Sequence, residues 1–283
     1  TMTASTTLSR PRRPGVSARQ LRAFETDGYV IVRQAHSEAQ LCVYRELHER
    51  FYREELAAGR LAPAGGRSNR AGAMHAFGFV IRDHAYLELL DLPTTFPLIR
   101  AILGWNIYMY HSHIDQHPPL HRSVPPVWAW HQDGGRQNVE IETQPTRPRL
   151  SVKVAFFLSD VSEPGRGNLK VIPGSHHRNE LPRDSEPPGA IQLCVPPGAA
   201  VIFDRRLWHS RSDNLSDVTR KALFMGYTYR WIRPRDDLAI DWGREPFRSL
   251  SPVRKQLLGW GQDAMSFWAV GDDDIPLQNV CSE

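Results

Sequence analysis

Short runs in which apolar and small polar residues alternate dominate the second half of the chain. The clearest runs cover residues 150–156, 200–203 and 222–229, and prolines and glycines separate them. Successive side chains of a β-strand point to opposite faces, so each run fits a strand with a buried face. Many short strands joined by Pro/Gly turns are typical of a two-sheet antiparallel barrel. The pattern therefore predicts a fold that is mainly β.

The first hundred residues carry the signals of helices that flank this β core. Ser17 and Gln20 form a capping box that opens a short helix, which we expect to stop near Gly28. Ser37 opens a second, longer helix in the same way, and a third helical segment covers about residues 96–103. The second helix has apolar residues at helical spacing, namely Leu41, Tyr44, Leu47, Phe51 and Leu56. We expect that face to pack on the sheet.

Three further segments complete this outline. Residues 60–73 are rich in Gly, Ala, Arg and Asn and show no periodicity, which predicts a loop and a candidate lid. Residues 250–259 have a helical pattern that ends at a glycine. The segment 1–16 has no apolar core, which favours a disordered tail over a signal peptide. Residues 17–283 are then expected to form a single domain.

Composition limits the class of protein. The chain has 283 residues, 41% of them hydrophobic, which is enough to bury a sizeable core. It contains no apolar run long enough to cross a membrane. The formal net charge is +4, but acids interrupt the basic residues, so we expect no nucleic-acid partner. Cys42, Cys194 and Cys281 are widely scattered, which suits a reduced cytoplasm. We expect a cytoplasmic monomer or homodimer that acts on a small molecule.

Two His-x-Asp motifs are candidates for metal binding, although chance alone yields about 0.7 such motifs in a chain of this composition. His131 and Asp133 lie where a strand-like segment runs into two glycines, which would direct both side chains to the mouth of a barrel. His113 and Asp115 lie along a strand-like run that begins at Asn106. We favour the first pair as metal ligands.

A distal pair completes the pattern, because His209 is followed 11 residues later (220 − 209) by Arg220. Two imidazoles and one carboxylate occupy one face of an octahedral ferrous ion and leave the opposite face for O2 and a chelating 2-oxo acid. An arginine one strand away suits the far carboxylate of that acid, because guanidinium binds carboxylate in bidentate fashion. The plain alternatives are an ordinary histidine at a strand end and a surface arginine. The combination predicts a metal site of His131, Asp133 and His209.

Further motifs surround these residues in a fixed order. They are FETDGYVI at 24–31, WHQD at 130–133, GNL and IPGSH between 167 and 176, PG and IFD between 197 and 204, and WH, NLS and a final arginine between 208 and 220. In that order they resemble the phytanoyl-CoA dioxygenase family of Fe(II)/2-oxoglutarate-dependent oxygenases, which includes the ectoine hydroxylases. The resemblance implies a cupin-like double-stranded β-helix (jelly-roll) core and the cofactors Fe(II), 2-oxoglutarate and O2. It implies no particular substrate, because this fold hosts many.

The same resemblance suggests contacts to 2-oxoglutarate. Many family members have a co-substrate-binding serine two residues after the distal histidine, whereas this chain has Arg211 between Ser210 and Ser212. We expect one of these two serines to substitute, with Ser212 as the preferred candidate, or Arg220 to bind the carboxylate alone. Asn168 either positions O2 or 2-oxoglutarate or holds a turn.

The run 111–119 resembles a strand that carries a Lys before Pro in relatives, where this chain has His117. His111 or Asp115 then falls where relatives place a polar contact to 2-oxoglutarate. A bare carboxylate repels the co-substrate, so Asp115 would need a hydrogen-bonded or metal-water role. His176 resembles a structural turn element of the family and is not placed on the metal.

Candidate substrate contacts are Arg67 and Arg70 in the lid segment and Arg136 after the metal motif, with solvated loop positions as the alternative. Trp130 is expected to pack beside the site and is a further candidate contact to the substrate. Halogenating relatives have a small residue where this chain has Asp133, so hydroxylation with release of succinate and CO2 is favoured. Desaturation, epoxidation and ring formation use the same ligands. The other classes in view are a cupin-like isomerase or lyase, which would not need an arginine at 220, and a binding protein of the same fold.

Overall fold

Two antiparallel sheets form the core of the protein in a computed structural model, which describes residues 15–61, 71–120, 130–134, 148–180, 182–184, 186–261 and 276–279. The strands are β1 (Tyr29–Val32), β2 (Met74–Phe77), β3 (Ile107–His117), β4 (Ser151–Phe157), β5 (Leu169–Val171), β6 (Ile191–Gln192), β7 (Ala200–Asp204), β8 (His209–Arg211) and β9 (Arg220–Tyr229). The larger sheet has the order β1-β7-β4-β9-β3-β2, and the smaller has the order β6-β5-β8. The predicted two-sheet, mainly β architecture is confirmed.

Strand alternation assigns each face of the larger sheet to a different core. In β4, Val152, Val154 and Phe156 pack with the helices, whereas Ala155 and Phe157 pack towards the smaller sheet. The other central strands divide in the same way. The strands are therefore buried on both faces, and the space between the two sheets is where polar side chains can be enclosed.

The helices cover the outer face of the larger sheet and begin where the capping boxes predict. They are α1 (Ala18–Asp27), α2 (Glu38–Ala57) and α3 (Phe96–Leu103), with two short C-terminal helices, Pro252–Leu257 and Pro276–Asn279. Gly28 ends α1 with a φ of 83°. The apolar face of α2 is buried as expected, except that Leu56 is only half-buried and Glu55 takes the buried position. Glu55 is accommodated there because Arg60 binds its carboxylate at 2.5 and 2.7 Å.

The smaller sheet brings the distal histidine strand, β8, against the larger sheet. In the smaller sheet β5 pairs with β8, and the opposite wall is lined by β3, β4 and β9 of the larger sheet. Residues that are distant in sequence therefore meet between the sheets. Residues 1–14 of the predicted tail and most of the lid segment lie outside the described residues. None of the described helices is both long and apolar enough to cross a bilayer.

Candidate active site

Three predicted metal ligands come together between the sheets. One ligand atom each of His131, Asp133 and His209 lies within 4.8 Å of the others. The two imidazole centroids are 4.2 Å apart, and His209 Nε2 lies 3.7 Å from Asp133 Oδ2. Two imidazoles and a carboxylate are the donor set of a facial iron site, so these residues fit a ferrous ion.

A short backbone ladder positions the first two ligands against the third. His131 and His209 exchange two backbone hydrogen bonds of 3.0 Å, and the Asp133 amide donates to the Arg205 carbonyl at 2.8 Å. Gln132 points away and donates to the carbonyls of Arg178 and Arg206. The alternation along this segment therefore places His131 and Asp133 on one side. Among the described residues His131 belongs to an isolated bridge, and the run before Trp130 lies outside them.

His209 is held in the tautomer that a metal requires. Its Nδ1 donates to the Leu207 carbonyl at 2.7 Å, which leaves the lone pair on Nε2, the nitrogen that faces Asp133. Burial, followed by the effect of the neighbouring His131, lowers the pKa of His209 to about 3. The ring is therefore neutral at physiological pH and ready to bind a cation.

Lys153, on β4, is a site residue that the sequence analysis missed. It is 5% exposed, and its Nζ lies 2.8 Å from Asp133 Oδ2. Burial alone would raise the pKa of Asp133, but Lys153, His209 and His131 together outweigh burial and hold this pKa well below its usual range. The available signal was a single charge in a strand that is otherwise apolar and small (Ser151–Phe157).

Arg220 opens β9 and is buried with Asp115 as its partner. It is 3% exposed, and Nη1 donates to Asp115 Oδ2 at 3.1 Å. Its guanidinium carbon lies 5.4 Å from the ring centroids of both Phe157 and Phe224. Burial lowers the pKa of Arg220 and Asp115 counteracts this shift. The plain alternative of a surface arginine is thus wrong, because the side chain is enclosed.

The inward face of β3 carries a row of titratable side chains, His111, His113, Asp115 and His117, at every second position. Burial would raise the pKa of Asp115, but hydrogen bonds from His117 and His75 hold it well below its usual range. Asp115 is therefore an anion that is already hydrogen-bonded, as the sequence analysis required of it.

These residues line one cavity of about 290 Å³. Its walls include the metal-ligand candidates, Arg220, His111, Asp115 and the apolar side chains Leu169, Phe203 and Phe224. Ser210 and Arg211 of β8 line it too. Burial, followed by the charge of Arg220, lowers the pKa of Arg211 to about 10. Both arginines remain cations at neutral pH, so the cavity favours an anion.

Comparison with known proteins agrees with this arrangement. The family model of phytanoyl-CoA dioxygenase (PhyH) matches residues 24–222. The chain belongs to the phytanoyl-CoA dioxygenase family. An ectoine dioxygenase of Stutzerimonas stutzeri is 22% identical over 245 residues, which cover 76% of this chain and 77% of that protein. The predicted family and the predicted dioxygenase class are confirmed.

Solved structures show the same fold. The apoform of EctD from S. alaskensis has a TM-score of 0.64 at 21% identity, covering 84% of this chain and 88% of that chain. HygX from Streptomyces hygroscopicus, crystallised with nickel and 2-oxoglutarate, has a TM-score of 0.62 at 16% identity, covering 80% of this chain and 91% of that chain. The predicted jelly-roll fold of this phytanoyl-CoA dioxygenase family member is confirmed.

Two of the expected 2-oxoglutarate contacts need correction. Asn168 Nδ2 donates to the carbonyls of Val161 and Leu193, and its Oδ1 accepts from the Arg166 amide. Ser212 Oγ donates to Asn168 Oδ1 at 3.4 Å. Neither is among the described residues that line the cavity. Asn168 therefore holds the turn before β5, and Ser210 is the serine that faces the cavity.

The remaining candidates lie away from the cavity or outside the description. Trp130 is buried with Ile172 and Trp208 beside the site, under the ammonium of Lys170, and is not a cavity-lining residue. Its predicted contact with substrate is therefore not supported, whereas its packing role is. His176 bonds the Glu25 carbonyl at 3.1 Å and is not part of either histidine-carboxylate cluster among the described residues. Arg67, Arg70 and Arg136 lie outside the described residues.

Proposed function

We propose that this protein is an Fe(II)/2-oxoglutarate-dependent oxygenase that hydroxylates a C–H bond of a small molecule. The overall reaction converts substrate, 2-oxoglutarate and O2 into the hydroxylated product, succinate and CO2. The observation that carries the proposal is the convergence of His131, Asp133 and His209 in the same cavity as the buried Arg220.

The three ligands would hold the ferrous ion through two imidazoles and one carboxylate. When bound, the iron would supply the activation of O2. The chain contributes orientation. The Leu207 carbonyl fixes the tautomer of His209, and the Lys153 ammonium keeps Asp133 ionised.

Arg220 would bind the carboxylate of 2-oxoglutarate that is remote from the metal. Its Nη1 donates a hydrogen bond to Asp115, Phe157 and Phe224 flank the guanidinium, and the side chain is buried. A charge-assisted bond is stronger in such surroundings than in water. A cupin-like isomerase or lyase has no need for a buried arginine facing the metal site, so Arg220 favours the oxygenase.

Succinate release tests this proposal. His131→Ala, Asp133→Ala and His209→Ala should each abolish succinate formation in a screen of candidate metabolites while the circular dichroism spectrum stays native, because each removes a metal ligand from a preformed scaffold. His84→Ala, at an exposed position outside the cavity, is the matched control and should keep full activity. Succinate formation at the wild-type rate by any of the three ligand variants contradicts the assignment.

A further inference from the structure

A second cluster of two histidines and one aspartate lines the same cavity. One ring nitrogen each of His75 and His113 and one oxygen of Asp115 lie within 4.8 Å of one another. Strand register brings them together, since His75 on β2 pairs directly with Asp115 on β3, and Phe77 pairs with His113. The other His-x-Asp motif of the sequence thus builds a set of donors chemically equivalent to the first.

A chain of hydrogen bonds fixes the tautomer of His113. The Asp236 carboxylate accepts from the Ser112 amide at 2.6 Å and meets His111 Nδ1 at 2.6 Å. His111 Nδ1 is then the donor, so its Nε2 accepts from His113 Nδ1 at 3.0 Å. This arrangement leaves the lone pair of His113 on Nε2. Metal-binding histidines usually donate their second ring N–H to a supporting group, and here Asp236 supports His113 through His111.

Asp115 can serve this cluster without losing Arg220. Its two oxygens have different partners, because Oδ1 meets His75 Nδ1 at 2.6 Å while Oδ2 accepts from Arg220 at 3.1 Å. A cation bound to Oδ1 would replace the proton shared with His75. Arg220 repels that cation, but the buried, ionised Asp115 lies between the two charges and attracts both.

We propose that His75, His113 and Asp115 form a second binding site for a divalent first-row transition-metal ion, separate from the His131, Asp133 and His209 centre. Imidazole nitrogen and carboxylate oxygen suit zinc, cobalt or nickel, with bonds of about 2.0–2.2 Å. His75 Nδ1 and Asp115 Oδ1 are 2.6 Å apart as hydrogen-bonded partners, and they would separate to roughly 3 Å or more to share one ion. The side chain of His75 is 41% exposed on an edge strand and can move to that distance.

Metal stoichiometry tests the second site without any assay of turnover. The probe is Co²⁺, titrated calorimetrically into the tag-free, EDTA-treated full chain, with bound metal counted by mass spectrometry after gel filtration. The wild-type chain should bind two ions. His75→Ala and His113→Ala should each bind one, and His209→Ala should also bind one because it loses the other ion. His84→Ala is the matched control, because His84 pairs with Asp83 at 3.4 Å but has no third ligand among the described residues, and it should keep two.

Asp236→Asn tests the hydrogen-bonded support separately. It should lower the affinity for the second ion about 10- to 100-fold and leave the affinity of the His209 site unchanged. A wild-type stoichiometry of one, or two ions retained by both His75→Ala and His113→Ala, overturns the proposal. If His113→Ala loses its native circular dichroism spectrum, the half-exposed His75→Ala decides the question. Loss of the ion in His209→Ala alone would leave the proposed oxygenase centre standing and reject the second site.

Discussion

Arg220 is the residue on which the naming of 2-oxoglutarate depends. Arg220→Lys keeps the charge but loses the planar fork, so the apparent affinity for 2-oxoglutarate should fall while iron affinity stays nearly unchanged. Loss of one charge-assisted bond, about 1.5–3 kcal/mol, corresponds to a roughly 10- to 150-fold higher 2-oxoglutarate requirement. The rate of succinate formation, measured over a range of 2-oxoglutarate concentrations, gives this requirement. An unchanged requirement would remove the main reason for proposing this co-substrate.

Lys153 competes with a metal for Asp133, and Lys153→Met separates the two effects. The metal-free variant should lose about 3–5 kcal/mol of unfolding free energy, because a buried carboxylate loses its partner. A divalent ion replaces the missing charge, so Ni²⁺ should stabilise the variant more than the wild type. Lys221→Met breaks the more exposed pair with Glu49 and should cost less than about 1 kcal/mol. Urea unfolding with and without Ni²⁺ measures these unfolding free energies. An equal gain in unfolding free energy on adding Ni²⁺ to Lys153→Met and to the wild type would count against this account.

His36 makes stability depend on pH. Burial between Tyr44 and Phe156 lowers its pKa from 6.5 to about 4, and neither ring nitrogen has a hydrogen-bond partner among the residues that the structure describes. The unfolded chain therefore binds an extra proton between those pH values, and this contribution to stability is lost as the pH falls from 6.5 towards 4. His36→Phe should raise stability at pH 7 and flatten the pH slope by about 1.4 kcal/mol per pH unit. Chemical unfolding from pH 4 to 7 tests this, and an unchanged slope would show that His36 is not the source.

At the scale of secondary-structure elements, the turn before β5 limits where the side chain of Arg220 can lie. Gly167 has φ 71°, and a Cβ there would lie 3.2 Å from Arg220 Cγ. Gly167→Ala should cost about 1–2 kcal/mol in backbone strain and also raise the 2-oxoglutarate requirement, because the arginine must move. Gly189→Ala is the matched control, since Gly189 has φ 81° and no described residue beyond its chain neighbours lies within 4 Å of its Cβ position. It should lose similar stability with no change in the 2-oxoglutarate requirement. An identical effect of both substitutions on that requirement would mean that Gly167 does not position Arg220.

Elements with strong local signals could be predicted from the sequence. The capping boxes give the starts of α1 and α2, and alternation gives β4, β7 and β9. Strands of two to four residues, such as β2, β6 and β8, are too short for a period to be visible. Their existence depends on partners that come from elsewhere in the chain.

The active site, like the strands, could be predicted only as far as local sequence patterns reach. Motif order identifies His131, Asp133, His209 and Arg220, but spacing alone does not say which face of a turn a side chain occupies. For Asn168 the sequence therefore leaves a co-substrate contact and a turn role open, and its hydrogen bonds in the structure favour the turn. Lys153 and His75 enter through strand pairing across long sequence separations, which a linear motif does not contain.

At the scale of the whole molecule, the jelly roll explains why ligands far apart in sequence share one cavity. The larger sheet supplies Arg220, Lys153 and Asp115, and the smaller sheet supplies His209. The described α-helices pack on the outer face of the larger sheet, so its inner face is left for chemistry. Substitutions in the core between the helices and the larger sheet should therefore act mainly on stability.

The central claim is that one cavity binds a metal and 2-oxoglutarate together. Anaerobic titration of the metal-free protein with Fe(II) and then 2-oxoglutarate, followed by visible absorption, tests it most directly. The wild-type protein should develop a weak metal-to-ligand charge-transfer band that saturates at one 2-oxoglutarate per chain. His209→Ala should give no band, and Arg220→Lys should give the same band at higher 2-oxoglutarate concentrations. Absence of the band in the wild-type protein, or an undiminished band in His209→Ala, would contradict the account.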